Sequence, residues 1–110
     1  MMCRPGFEWD ETKNRENVRK HGVSFFTAQY AFNDPDRIVT FDRKHSTAEE
    51  KRYFCFGRVE DHVITVRFTF RGDAIRIFGA GYWRSGRSLY HEKNKICQSA
   101  SRNRRSDFDK

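Results

Sequence analysis

Residues 62–78, HVITVRFTFRGDAIRIF, constrain the fold of this chain more than any other stretch. Ile64, Val66, Phe68 and Phe70 alternate with Thr65, Arg67, Thr69 and Arg71, the period of a half-buried strand. Gly72-Asp73 then supplies a two-residue turn with Gly first, the signature of a type II′ hairpin, and Ile75 and Ile77 resume the alternation. Closing the hairpin on that turn sets Phe70 opposite Ile75 and Phe68 opposite Ile77 on one face. The other face pairs Arg71 with Ala74, Thr69 with Arg76 and Arg67 with Phe78. One side of the hairpin is apolar and expected to hold the helices; the other carries three arginines and a row of hydroxyls.

The remaining elements fall around this hairpin. Phe7-Glu8-Trp9 reads as a short edge strand, and Asp10 caps a helix over 11–20 that stops at Gly22. Val18 is the only clear apolar anchor of that helix. Ser24 caps a second helix, buried through Phe25, Ala28, Gln29 and Phe32 and ended by Asn33-Asp34-Pro35. A short strand over 38–41 and a polar loop over 42–50 follow. Residues 52–58 form a third strand with apolar residues on both faces, hence a central one. Gly79-Ala80-Gly81 is expected to break the last strand before a helix at 87–95, in which Leu89 and Tyr90 make the contacts. The order β-α-α-β-β-β-β-α implies an α+β fold, with an antiparallel four- to five-stranded sheet, helices on one face and the arginine face left open. Residues 1–97 read as one domain and 98–110 as a polar, disordered tail.

Charge narrows the class of partner. The chain of 110 residues carries a net charge of +7. Residues 1–50 hold 8 Lys/Arg against 9 Asp/Glu, whereas residues 51–110 hold 14 against 6. A basic half suits a polyanion such as RNA or DNA, although the same excess can serve solubility or an acidic protein partner. Eleven Phe, four Tyr and two Trp supply an aromatic core under a charged surface. No apolar run has membrane-spanning length and the N-terminus lacks a signal pattern, so a cytoplasmic protein without a membrane partner is expected. Cys3, Cys55 and Cys97 are odd in number and widely spaced, neither a disulfide framework nor a CxxC pair. Cys55 is expected to be a small buried hydrophobe. No Gly-rich phosphate loop or metal-spaced His/Cys cluster occurs, and no cofactor is expected.

Several segments together resemble a known family: FEWD at 7–10, RKHGVSF at 19–25, Phe32 to Asp34 with Pro35, DRKHS at 42–46, EEKR at 49–52, Gly57-Arg58 and TFRGDAIRIF at 69–78. In order and spacing they look like the BrnT toxins, over roughly residues 7–90. The resemblance implies a RelE-like α+β fold, a ribonuclease toxin of a type II toxin–antitoxin pair, an RNA substrate and neutralisation by a BrnA-like antitoxin in a hetero-oligomer. Many members of the family follow the last strand with Ser-Ala-Arg. Here Gly79-Ala80-Gly81 stands in its place, with Arg84 or Arg87 available to supply the charge from another direction.

Metal-independent RNA cleavage needs a base for the ribose 2′-OH, cations for the phosphate and an acid for the leaving 5′-oxygen. Arg67, Arg71 and Arg76 share one hairpin face and could cradle phosphate, or simply solvate an exposed sheet. His45, in the polar loop, is a candidate acid or base; Lys20 is a further catalytic candidate beside His21, which also suits the C-terminal carbonyls of its helix. Arg58, Arg84 and Arg87 are candidate RNA or phosphate contacts. Tyr82 and Trp83 either stack bases or pin the last helix to the core. The expected activity is endoribonucleolytic, by 2′-OH attack. The alternatives are a catalytically weak or inactive member of the same fold that binds an antitoxin, its catalysis lost with the arginine at Gly81, and a plain RNA-binding module.

Overall fold

The computed structural model describes residues 6–101. Strands β1 (Phe7–Trp9), β2 (Ile38–Phe41), β3 (Arg52–Val59), β4 (His62–Arg71) and β5 (Ala74–Gly81) form one sheet in the order β1-β5-β4-β3-β2. Edge strand β1 runs parallel to β5 and every other pair is antiparallel. Helices α1 (Glu11–His21) and α2 (Phe25–Ala28), the latter continued by a 3₁₀ turn at Gln29–Asn33, precede β2; α3 (Arg84–Ser101) follows β5. The molecule is an α+β fold with a mostly antiparallel sheet. No helix among the described residues is long and apolar enough to cross a membrane.

The β4–β5 hairpin closes on Gly72, whose φ of 62° suits the turn that only glycine enters without cost. Four pairs follow the expected register: Arg71 with Ala74, Phe70 with Ile75, Thr69 with Arg76 and Phe68 with Ile77. The register then slips. Arg67 pairs with Gly79, not Phe78, so Phe78 is the extra residue of a bulge and the pairs continue as Val66–Ala80 and Thr65–Gly81. Nor do the glycines break the strand, because β5 stays paired through Gly81.

On one face Cys55, Ile64, Val66, Phe68, Ile77 and Ala80 pack under α1, α2 and the 3₁₀ turn, with Phe25, Ala28 and Ala31 wholly buried against them. Cys55 is buried as expected, and burial pushes its thiol up to about 12. Phe70 does not hold a helix; it sits 58% exposed at the strand end, against Tyr53. The opposite face is not open along its whole length. Phe54 and Phe56 of β3 and Val63 of β4 form a second cluster with Leu89 and Tyr90, so α3 lies across the arginine face. A strand apolar on both sides needs cover on both sides, and α3 provides it. Close backbone approach occurs on each face. A Cβ at Gly57 would strike the carbonyl of Ala31, and one at Gly86 would strike the Thr65 hydroxyl and the Phe56 ring. Helix α3 starts at Arg84 and passes through position 98, where the tail was expected to begin; residues 102–110 of that tail lie outside the described residues.

The anchor of α1 is polar. Val18 is 44% exposed, whereas Asn17 is buried and donates from Nδ2 to the carbonyls of Val23 and Ala80, each at 2.9 Å. Its Oδ1 accepts from the Ala80 amide at 3.3 Å. Strand β1 covers β5 only from Ile75 to Ile77, so Asn17 satisfies the β5 backbone where β1 has ended. Asp10 Oδ1 caps the helix start by accepting from the Thr12 amide, and Gly22, at φ 74°, ends it.

Asp34 joins three elements. Its Oδ2 accepts from the Tyr90 hydroxyl of α3 at 2.5 Å and from the Arg58 amide of β3 at 2.7 Å, and its Oδ1 accepts from the Asp36 amide. Burial pushes this carboxyl up, but the hydrogen bonds from Tyr90, Arg58 and Asp36 and the Arg58 charge outweigh it and hold the pKa below the ordinary 3.8. Burial, followed by the same hydrogen bond, raises the Tyr90 phenol.

Two predictions follow from these anchors. Asn17→Ala should destabilise the protein by about 1–3 kcal/mol through its stranded backbone partners, while Val18→Ala stays within about 0.5 kcal/mol; urea denaturation compares them. A carboxylate whose folded pKa is depressed stabilises fully above its unfolded pKa and loses that contribution as pH falls through the folded value. Asp34→Asn should therefore lower stability at neutral pH and flatten the acid limb below about 3.8, read by circular dichroism.

Candidate active site

Each arginine of the hairpin face meets a different environment. Arg76 donates from Nη1 to Glu8 Oε2 at 3.0 Å, neutralised by the edge strand. Arg71 is 57% exposed, its guanidinium 4.0 Å from Glu50. Arg67, halfway along β4, forms no ion pair among the described residues. Its stem crosses Gly79, where an added Cβ would come within 3.2 Å of the arginine Cδ, and its guanidinium carbon lies 5.2 Å from the centre of the Phe78 ring. Arg52, paired with Glu50 at 2.9 Å, lies over the same ring at 4.4 Å. The bulge thus places an aromatic plate beneath two guanidiniums.

Arg67 opens into a cleft of about 450 Å³ between the sheet and the start of α3, lined also by His45, Thr65, Trp83 and Ser85. His45 reaches it from the loop after β2. The Asp42 carboxylate, 5% exposed, accepts from the His45 amide through Oδ1 at 3.3 Å, and its Oδ2 lies 2.9 Å from His45 Nδ1. An acceptor-only carboxylate assigns the ring proton to Nδ1 and leaves Nε2 as the proton acceptor. The loop is tied down by Ser46 Oγ, which donates to the Asp42 carbonyl at 2.7 Å, and by the Arg52 amide, which donates to Ser46 Oγ at 2.8 Å. The Thr65 hydroxyl lies deep in the cleft, buried and with no hydrogen-bond partner among the described residues. The oxygen is sealed beneath Gly86 at the start of α3, so it belongs to the packed floor of the cleft and is not open to a ligand.

Gly81, where the resemblance leads one to look for arginine, lies beneath Trp83. A Cβ there would come within 2.7–2.8 Å of three atoms of the indole. The His21 ring meets Trp83 edge-on at 5.1 Å. Trp83 therefore both pins the β5–α3 link and lines the cleft. Lys20, one residue before His21, is exposed in the last turn of α1 and is not among the cleft residues. Arg58 and Arg87 come together elsewhere, in a second cleft beyond α3, and exposed Arg84 lines neither.

Of the candidates named from sequence, the fold brings together Arg67 and His45, leaves Arg71 and Arg76 along the same face, and separates Lys20, Arg58 and Arg87 from them. One partner of the site was missed, Asp42, for which its i,i+3 spacing from His45 in a polar turn was a usable signal.

Gly81→Arg should expel the indole and cost about 1–3 kcal/mol by overpacking, with a shift in tryptophan emission that marks the release of Trp83.

No curated protein matches the chain. A family model described as the ribonuclease toxin BrnT of type II toxin–antitoxin systems matches residues 9–86, a span that includes Asp42, His45 and Arg67. Covering well over half of the 110 residues, that match shows that the chain belongs to the BrnT family of ribonuclease toxins, whose target is RNA and whose partner is an antitoxin protein.

Proposed function

We propose that the protein cleaves RNA without a metal ion, by attack of a ribose 2′-OH on the adjacent phosphate, in the cleft between His45 and Arg67. The observation that carries this reading is the convergence of an oriented imidazole and a guanidinium with no ion pair among the described residues on one cleft. His45 Nε2 takes the 2′-OH proton while Asp42 stabilises the imidazolium that forms. Arg67 holds the non-bridging oxygens as charge grows on them. The 2′-oxygen–phosphorus bond forms as the phosphorus–5′-oxygen bond breaks. His45, the sole imidazole among the cleft residues, returns its proton through water to the leaving 5′-oxygen. The products are a 2′,3′-cyclic phosphate and a 5′-OH.

Arg71 and Arg76 extend the positive face along the sheet and guide the RNA backbone. No step requires an arginine at position 81, since Arg67 enters the cleft from the neighbouring strand, which favours an active enzyme over an inactive relative. A BrnA-like antitoxin is the partner this reading assigns.

Induction of the chain without its antitoxin should arrest growth and produce new 5′-OH RNA termini. His45→Ala and Arg67→Ala should each lower the cleavage rate of the purified protein by about 10²–10³-fold, and Asp42→Asn should fall between them and the wild type. Arg76→Ala, whose guanidinium is already paired, should have a far smaller effect. Intact RNA with the wild type, or full activity in His45→Ala, would sink the assignment.

A further inference from the structure

Beyond the cleft just described, α3 separates a second one of about 360 Å³, lined by Arg58, His62, Tyr82, Arg87 and His91 with Asp61. It gathers side chains from the end of β3, the start of β4, the β5–α3 link and two turns of α3. Neither Arg58 nor Arg87 forms an ion pair among the described residues, and both are exposed. Two guanidiniums line the cleft against one carboxylate, Asp61, and the Arg58 charge also acts on the Asp34 carboxylate. Tyr82 is 44% exposed, and its ring meets that of His62 edge-on at 5.5 Å, which holds the phenol in place while leaving it accessible.

The link before α3 sends its two aromatic residues different ways. Tyr82 lines this second cleft and Trp83, the next residue, lines the His45–Arg67 cleft. In the helix that follows, Ser85 and Gly86 face the first cleft and Arg87 the second. The two clefts are thus the two sides of one short segment. A flexible polyanion held in the first at a phosphate can cross the start of α3 and enter the second.

We propose that the Arg58–Arg87 cleft is a second RNA subsite, which binds a phosphate of the substrate a short distance from the scissile bond and stacks an unpaired base on Tyr82. The inference rests on the ribonuclease reading above and extends it to the substrate, a single-stranded RNA of several nucleotides and not a dinucleotide. Guanidiniums hold phosphate by paired N–H donors, and an exposed aromatic ring offers a stacking platform to any unpaired base. Asp61 offers an acceptor for the amino group of a base. A flat ring beside two arginines fits a nucleotide better than an acidic peptide, which has no base to stack.

The test uses the full chain and a single-stranded RNA oligonucleotide with 2′-O-methyl riboses, which lacks the attacking hydroxyl. Binding is measured by fluorescence anisotropy over a salt series, beside cleavage of the unmodified RNA. Arg58→Gln with Arg87→Gln should weaken binding about tenfold and flatten the log K against log salt slope by about 0.7, for one phosphate of a single strand. Tyr82→Ala should weaken binding by about tenfold with the slope unchanged. A 2′-O-methyl dinucleotide, too short to reach the second cleft, should bind all three proteins alike. Unaltered binding of the long RNA by the arginine variant, with wild-type cleavage intact, would overturn this subsite alone. Absence of both binding and cleavage in the wild type would remove the ribonuclease reading with it. Unaltered RNA binding together with a weakened antitoxin complex in the same variant would assign the cleft to the antitoxin and overturn the proposal.

Discussion

The bulge at Phe78 determines which way the last third of the sheet faces. Because side chains alternate along a strand, one extra residue reverses the face of every residue that follows it. With the bulge, Gly79 and Gly81 lie on the arginine face and Ala80 on the core face. Gly79 makes room for the stem of Arg67, and Gly81 makes room for the indole of Trp83. Ala80, small enough to sit wholly buried, offers its backbone to Asn17 of α1. Phe78 itself goes beneath Arg52 and Arg67. A segment whose composition resembles a strand breaker is the point where three packing demands meet.

The same logic of close approach places α3. Gly86 lets the helix rest on Thr65 and Phe56, Leu89 and Tyr90 complete the apolar contact, and the Tyr90 hydroxyl is held by Asp34. With the helix set across one part of the arginine face, the rest divides into two clefts with α3 between them. The His45–Arg67 cleft therefore combines a floor made of β3 and β4 with a wall of helix and a loop carrying His45. Side chains on strands and on a loop tied by Asp42 and Ser46 are held in a narrow range of positions, which catalysis by positioning requires. An electropositive face of this kind attracts polyanions over a distance, which accords with the proposed site.

Much of this was legible beforehand. The hairpin turn and four of its cross-strand pairs follow from alternation and one Gly-Asp turn, since period and turn length together leave little freedom. The caps Asp10, Ser24 and Gly22 were visible because capping is chemistry between near neighbours. Arg67 and His45 were visible as residue types suited to phosphate and proton transfer, and the resemblance placed them in a family. The anchor of α1 was misjudged because hydrophobicity points to Val18, whereas the demand comes from unpaired strand backbone 63 residues away.

What the sequence determined by itself is local: strand period, turn type, helix ends and the sign of charge on each face, all set by contacts within a few residues. Tertiary structure decided the rest. It chose the arginine that stays unpaired, because Glu8 and Glu50 reach Arg76 and Arg71 but not Arg67. It brought a loop histidine to that arginine, and it laid α3 over a face expected to be open. These outcomes depend on which distant surfaces exclude water together, and the period of a single strand carries no record of that.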